Sequence, residues 1–274
     1  MGIVRVHDLP DVLHRIVERR RDRLEAEMDS IPDRIVELRR QRDSDNPIKK
    51  SLVEALVQEP ETAIIAEVKM GSPRLGSLVD RVDSKAIATQ YAANGAVGLS
   101  VVVEPDFFFG SYELLAQCQK ASGLPTLAKD FVVDPIQIEL ASAAGASALL
   151  LIASLYTQEE LRRLASQTRD LGLEPLIECH TVADVEKLHG ATWELVGVNN
   201  RDLRTFQVDL DHSINLLPRL PASACKVAES GMSTAADCEY LSRAGFDAFL
   251  VGESLLLSDD PGAKLRQLQA ANLA

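Results

Sequence analysis

The stretch that decides the fold runs from Ala63 to Gly76 and reads Ala-Ile-Ile-Ala-Glu-Val-Lys-Met-Gly-Ser-Pro-Arg-Leu-Gly. An apolar, β-branched run acquires Glu67 and Lys69 near its end, and then breaks at Gly71-Ser72-Pro73. Residues two apart on a strand point to the same face, so the two charged side chains share one side. The pattern predicts a buried strand with chemical groups at its tip, where turn amides can meet an anion. The alternative is a surface ion pair at a strand end.

Similar apolar runs recur along the chain and alternate with helical periodicity. We predict strands at 63–69, 97–103, 125–129, 146–152, 173–178, 194–199, 225–229 and 247–251. We predict helices at 83–94, 111–122, 134–144, 157–170, 181–189, about 212–217, 233–244 and 261–270. Glycine, which commonly ends a helix in the left-handed conformation, precedes the next strand at Gly95, Gly123, Gly145, Gly172, Gly190 and Gly245.

This alternation predicts an α/β fold with a parallel sheet covered by helices. Eight strand–helix units in 274 residues favour closure into a (β/α)₈ barrel, the TIM barrel. A doubly wound open sheet is the alternative, but it usually carries a Gly-x-Gly-x-x-Gly turn after its first strand. That motif is absent after residue 69.

Residues 1–60 differ from the rest in charge and pattern. Helical spacing of apolar residues begins at Val12, Leu13, Ile16 and Val17. Amphipathic segments follow at 32–42 and 51–58, with a turn or linker at Asp43–Pro47. We therefore expect one barrel domain over residues 1–274, with 1–60 as an N-terminal helical extension packed on the barrel. The Arg19–Arg23 run is interpreted as a solvated helix face.

Composition narrows the class of partner. A net charge of −12 and a pI near 4.9 argue against a nucleic-acid or anionic-membrane partner, and favour a small-molecule ligand. The sequence shows neither an apolar run of membrane-spanning length nor a signal-peptide core, so we expect a cytoplasmic protein. We also expect a monomer or a weak homodimer. Neither the cysteines nor the histidines show metal-ligand spacing, and we expect no metal and no cofactor.

Seven charged or amide side chains lie at, or just after, the C-terminal ends of the predicted strands. They are Glu67, Lys69, Lys129, Glu178, Asn199, Arg201 and Glu229. In a barrel these ends meet on the face where active sites are built. A purely solubilising role would scatter such residues over both ends, so the pattern favours a functional face.

The last two strands carry the signal for an anion. Glu229-Ser230-Gly231 precedes one predicted helix, and Val251-Gly252-Glu253-Ser254 opens another helical turn. Free amides at helix starts bind phosphate, and barrels commonly place phosphate after strands seven and eight. We therefore predict a substrate with a terminal phosphate.

Aromatic residues follow the second strand at Phe107, Phe108 and Phe109. We expect one ring to form a wall for a flat ligand and another to pack beneath the N-terminal helices. Phe131 and Leu203 are as well explained by plain packing as by pocket lining.

Taken together, these residues resemble the indole-3-glycerol phosphate synthase family of tryptophan biosynthesis. The resemblance rests on motifs in order along almost the whole chain: Glu67-Val68-Lys69 with Ser72-Pro73, Glu104-Pro105 with Phe108, Lys129-Asp130-Phe131, Glu178 with His180, Asn199-Asn200-Arg201-Asp202-Leu203, Glu229-Ser230-Gly231 and Gly252-Glu253-Ser254. It implies a TIM barrel with an N-terminal helical extension. It also implies a lyase that closes a ring, releases carbon dioxide and removes water from 1-(2-carboxyphenylamino)-1-deoxyribulose 5-phosphate.

The resemblance also implies residue roles. Lys129 is the acid for ring closure, with its pKa lowered by burial and by the neighbouring Lys69 ammonium. Glu178 is the base, and Lys69 assists dehydration. Glu67 and Glu229 orient the lysines. The residues implied to hold substrate are Asn199 and Arg201 for its carboxylate and hydroxyls, Phe108, Phe131 and Leu203 for its ring, and Ser72, Ser230, Gly231, Gly252 and Glu253 for its phosphate.

The first loop departs from the family pattern. Met70 follows Lys69 where another basic residue is usual, Arg74-Leu75 replaces Ser-Lys, and Phe109 stands where a small or polar residue is common. These departures leave open a paralogue in another pathway, a related phosphate-binding barrel such as a phosphoribosyl isomerase, or a barrel that binds its ligand without turnover.

Overall fold

A computed structural model describes residues 11–43, 50–59, 61–202 and 204–270. Eight parallel strands close into a barrel in which each strand pairs with its neighbours in the chain, and the first pairs with the last. The strands are β1 (Ala63–Val68), β2 (Gly98–Val102), β3 (Thr126–Lys129), β4 (Ala148–Ile152), β5 (Glu174–Cys179), β6 (Leu195–Asn199), β7 (Cys225–Glu229) and β8 (Ala248–Val251). The predicted TIM barrel is confirmed.

Helices form the outer layer and the N-terminal extension. They are α1 (Asp11–Glu27), α2 (Ile31–Asp43), α3 (Leu52–Gln58), α4 (Ser84–Ala93), α5 (Tyr112–Ser122), α6 (Ile136–Ala143), α7 (Gln158–Asp170), α8 (Val182–Glu186), α9 (Leu210–Leu216), α10 (Ala235–Ala244), α11 (Glu253–Leu256) and α12 (Pro261–Gln269). The predicted linker lies, from Ser44 onward, outside the described residues, as does Leu203.

Local capping explains where the predicted helix boundaries hold and where they differ. Thr157 and Thr181 form capping boxes that start α7 and α8. The helix predicted over 181–189 ends at Glu186, and the following turn is held by the Trp193 indole, which donates to the Leu188 carbonyl at 2.8 Å. The glycines predicted to end helices all have positive φ, and Gly123 caps α5 in the left-handed region.

The strand register places the C-terminal ends of neighbouring strands at the same height along the barrel. Val102 pairs with Lys129, Ile152 with Glu178, and Asn199 with Glu229. The barrel strands are almost entirely buried along their length. The partly exposed charged residues of the strands lie near strand ends: Lys129 at the C-terminal rim, and Glu174 and Lys226 at the opposite end.

The extension is tied to the barrel by a buried ion pair beside that rim. Arg20 on α1 donates from Nε and Nη2 to the two carboxylate oxygens of Asp130, at 3.0 and 2.7 Å. Tyr112 and Gln137 donate to the same carboxylate at 2.7 and 2.8 Å. Asp130 directly follows Lys129, so this network fixes the end of β3 and the position of α1 together.

Removing the cation of this pair should destabilise the fold. The Arg20→Met variant leaves the Asp130 carboxylate buried without a counter-ion, which costs about 3–5 kcal/mol for a buried pair. We expect a clearly lower urea midpoint, followed by far-ultraviolet circular dichroism. Arg19→Met is the matched control, because Arg19 is 54% exposed and Asp106 keeps Arg23 as a second partner; ion pairs of exposed side chains contribute at most about 1 kcal/mol. Equal small shifts in both variants would contradict the anchoring role.

Candidate active site

A cavity of about 720 Å³ opens at the C-terminal ends of the barrel strands. Most of the side chains predicted to form the site line it: Glu67, Lys69, Ser72, Phe108, Lys129, Phe131, Glu178, Asn199, Arg201, Ser230, Gly231, Gly252 and Glu253. Glu229 is fully buried beneath the cavity, and Leu203 lies outside the described residues. The structure therefore brings residues from β1, β3, β5, β6, β7 and β8 to one mouth.

Lys129 stands at the centre of a carboxylate cluster. Its Nζ lies 2.7 Å from Glu229 Oε2, 3.7 Å from Glu67 Oε2 and 3.8 Å from Glu178 Oε2. Glu67 also contacts the Lys69 ammonium, Nζ to Oε1, at 3.0 Å. Two ammonium groups and three carboxylates thus share a nearly dry pocket floor.

The expected lowering of the Lys129 pKa is wrong. Burial on its own lowers the pKa of this ammonium, but the carboxylates of Glu229, Glu67 and Glu178 raise it above its ordinary value. The expectation failed because the nearest charges to Lys129 are negative, whereas Lys69 is neutralised by Glu67. The Lys129 side chain is therefore held in its charged ammonium form by its three neighbours.

The two carboxylates of β5 and β7 are unequal. Burial raises the pKa of Glu229 despite its contact with Lys129. For Glu178, the opposing effect of burial is outweighed by the His180 hydrogen bond and the Lys129 charge, and its pKa is lowered. The surroundings therefore favour the charged form of Glu178 more than that of Glu229.

Small residues make room for these carboxylates. A Cβ atom on Gly197 would overlap Glu229 Oε1, and one on Gly252 would overlap Glu67 Oε1. The absence of side chains at these two positions is thus a condition for the cluster.

His180 is a site residue to which the sequence pattern assigned no role. Its Nε2 lies 2.7 Å from Glu178 Oε1, and its backbone amide donates to Asp184 Oδ2 at 3.1 Å. Burial alone lowers the pKa of the imidazole, but the bond to Glu178 raises it above the usual histidine value. The signal in the sequence was its spacing, because residues two apart on an extended chain share a face.

The turn after β7 has the geometry of an anion site. Ser230 and Gly231 are consecutive left-handed residues, with φ of 64° and 97°. The next amides are already used, since Ser233 and Thr234 both donate to Asp237 Oδ2, at 2.8 and 2.7 Å. The Ser230-Gly231 turn and the neighbouring Gly252-Glu253 turn both line the cavity and are the candidates for contacts to an anion.

The apolar wall combines aromatic rings with α1. Phe108 and Phe131 stack with ring centroids 6.0 Å apart and an interplanar angle of 29°. The apolar face of α1 closes the same cavity with Val12, Leu13 and Ile16. Helical spacing had assigned those three residues to packing only, because an amphipathic face does not show what covers it.

Of the three phenylalanines at 107–109, one lines the cavity, as predicted. Phe108 lines the cavity, whereas Phe107 borders an outer groove beside Arg15 and Arg19 of α1. Phe109 is 40% exposed and has a φ of 57°, so it faces away from the cavity over Gly71. Only one of the three rings therefore belongs to the wall.

Comparison with known proteins gives a consistent match. The family model described as "Indole-3-glycerol phosphate synthase" matches residues 13–268. The indole-3-glycerol phosphate synthase of Carboxydothermus hydrogenoformans is 38% identical over 94% of this chain and 99% of its own length. That of Sulfurimonas denitrificans is 42% identical over 75% of this chain and 78% of its own length.

Among solved structures, 3-hexulose-6-phosphate synthase from Salmonella typhimurium superposes with a TM-score of 0.61 at 13% identity, covering 76% of this chain and 97% of that one. This likeness shows the barrel fold alone. Across the described part of the chain, no helix combines the length and apolarity needed to cross a membrane.

The His180–Glu178 contact predicts a specific titration. A histidine with a raised folded-state pKa contributes stability that is complete below pH 6.5 and is lost as pH rises through the folded value. In Glu178→Gln the pKa of His180 should fall, because the side chain that hydrogen-bonds the charged imidazole is no longer a carboxylate. Burial still disfavours protonation of His180, and only the Asp184 and Glu229 carboxylates remain to favour it. Histidine-resolved NMR titration measures this, with the exposed His189 as internal control. An unchanged titration curve of His180 would show that Glu178 does not stabilise the protonated imidazole.

Proposed function

The chain belongs to the indole-3-glycerol phosphate synthase family, and from this premise we propose how its mouth residues act in the reaction. The enzyme is a carboxy-lyase that converts 1-(2-carboxyphenylamino)-1-deoxyribulose 5-phosphate into indole-3-glycerol phosphate, carbon dioxide and water. The observation that carries the assignment of roles is the Lys129 ammonium at the cavity floor, surrounded by three carboxylates.

The substrate is held by its two ends. Its phosphate lies between the Ser230-Gly231 and Gly252-Glu253 turns, with Ser72 at the same mouth. Its aromatic ring packs on Phe108 and Phe131, and Leu203 is assigned to the same wall by the family motif. This arrangement is supported by the cavity itself, in which the apolar wall and the polar turns lie on one continuous surface.

The middle of the substrate contacts the polar residues at the bottom of the cavity. Arg201 suits its carboxylate by bidentate geometry, and Asn199 suits its hydroxyls. Asn199 Oδ1 accepts the Arg201 amide at 3.0 Å, which links the positions of the two residues. The reacting carbonyl is then held over Lys129.

Ring closure requires a proton on the former carbonyl oxygen. As the aromatic carbon attacks, this oxygen develops into an alkoxide, which is a stronger base than an amine. Proton transfer from Lys129 is therefore favourable even though the carboxylates raise the pKa of this lysine. The raised pKa keeps the donor charged before the reaction, and the proton leaves only when negative charge appears on the substrate.

The remaining steps restore aromaticity. Loss of carbon dioxide returns an electron pair to the benzene ring, and the hydroxyl then leaves as water with a proton from Lys69. Glu178, which its lowered pKa keeps deprotonated, takes the proton that the new five-membered ring loses. Glu67 contacts both ammonium groups and Glu229 holds Lys129 from below, so these two carboxylates orient the acids.

Packing and composition support proposals about domain organisation, localisation and oligomeric state. We propose a single domain, because α2 packs against α5 and α6 of the barrel rather than forming a separate core. We also propose a cytoplasmic monomer or weak homodimer that binds neither nucleic acid nor membrane, which is supported by the net charge of −12. Sedimentation velocity at several concentrations tests the oligomeric state.

Replacing the proposed acid should abolish turnover while preserving binding. In Lys129→Met, we expect product formation, followed by indole fluorescence, to fall by at least about 10²-fold. Substrate affinity should stay within about tenfold, because the phosphate and ring contacts remain. Lys85→Met, which removes an exposed lysine on α4, is the control and should retain wild-type turnover.

Two outcomes would contradict these assignments. Full activity of Lys129→Met would remove Lys129 from the acid role. Tight binding of the substrate by the wild-type protein without any fluorescence, even at high enzyme concentration, would show a barrel that binds this phosphate ester without turnover.

A further inference from the structure

Glu253 places a negative charge beside the position proposed for the substrate phosphate. It is the first residue of α11 and directly follows Gly252. A carboxylate next to a phosphate dianion is repulsive unless cations offset it. Two guanidinium groups do so: Arg74 Nη2 lies 2.5 Å from Glu253 Oε1, and Arg201 Nη2 lies 3.5 Å from Glu253 Oε2.

Arg74 reaches Glu253 from the neighbouring loop, because β1 and β8 are adjacent strands of the barrel. It lies in the loop after β1, in the turn between the two-residue strands Gly71–Ser72 and Gly76–Ser77. Ser72 Oγ accepts the Leu75 amide at 3.1 Å, which helps to shape that turn. The Arg74 side chain therefore links the β1 and β8 loops at the mouth, and it lines the same cavity as Glu253.

The ion pair between Arg74 and Glu253 is easy to exchange. The two side chains are 55% and 33% exposed, respectively, and ion pairs at such positions contribute little because solvent screens them. A phosphate dianion offers a guanidinium twice the charge and a bidentate geometry. Glu253 has a second cation nearby, since Arg201 Nη2 lies 3.5 Å from its other carboxylate oxygen.

We propose that Arg74 is a phosphate-binding residue of this chain, held over the mouth by Glu253 until the substrate phosphate takes its guanidinium. With Arg74 present, two positive charges face one negative charge beside the phosphate turns. Without it, the local charges cancel and the phosphate gains no net attraction. The proposal rests on the function proposed above, and it assigns a role to one of the positions where the first loop departs from the family motif.

The first test compares Arg74→Met with the wild-type enzyme. We expect KM for the phosphorylated substrate to rise about tenfold with kcat within about threefold, because the lost contact is made equally in the ground state and the transition state. Arg74→Lys should lie between the two, since it keeps the charge and loses the bidentate fork. Arg81→Met is the control: it removes an exposed arginine that follows the same loop and does not line the cavity.

The second test isolates the phosphate. For the dephosphorylated substrate, the KM values of wild type and Arg74→Met should agree within about twofold. If Arg74→Met raises KM equally for both substrates, Arg74 holds the loop rather than the phosphate, and the proposal is overturned. An unchanged KM for the phosphorylated substrate overturns it as well.

The third test does not depend on turnover. Inorganic phosphate binding, measured by calorimetry, should weaken about tenfold in Arg74→Met and tighten in Glu253→Gln, which removes the competing carboxylate. Equal phosphate affinity in wild type and Arg74→Met would overturn the proposal. Failure of the wild-type protein to form indole, with the phosphate effects intact, would instead count against the proposed reaction alone.

Discussion

The site depends on mutual compensation among charges that could not be buried singly. A buried ammonium or carboxylate without a partner is strongly destabilising, and removal of one partner leaves the other uncompensated. Lys129 is placed among three carboxylates, Lys69 on Glu67, and His180 on Glu178. Each member therefore makes the burial of the next tolerable, and the cluster behaves as one unit rather than as independent residues.

The barrel makes this cluster possible by geometry. Parallel strands in register deliver residues that are distant in sequence to one rim, and the glycines at 197 and 252 leave the volume that two carboxylates occupy. The buried Arg20–Asp130 pair then holds α1 over that rim, next to Lys129. Through this pair the extension both closes the cavity with an apolar face and fixes the strand end that carries Lys129.

The sequence predicted much of this, for identifiable reasons. The ends of the strands can be predicted from the sequence, because neither core packing nor solubility requires an apolar run to stop at Lys129 or Glu178. The closed barrel can be predicted because the sequence contains eight strand–helix units. The direction of the Lys129 pKa was mispredicted because it depends on which charges lie nearest, and sequence order does not contain those distances. The lining role of Val12 was missed for a related reason, since helical periodicity gives a face but not its neighbour.

The charge of the whole protein and the charge of its mouth have opposite consequences for the substrate. The chain carries a net charge of −12, which repels a ligand bearing a phosphate and a carboxylate at long range. Salt screens that repulsion beyond roughly 8–10 Å, whereas Lys69, Arg201 and Arg74 act at contact distance inside a partly desolvated cavity. Attraction at contact distance in such a site exceeds screened repulsion from outside it, so a strongly acidic chain is compatible with a cavity that receives an anionic ligand.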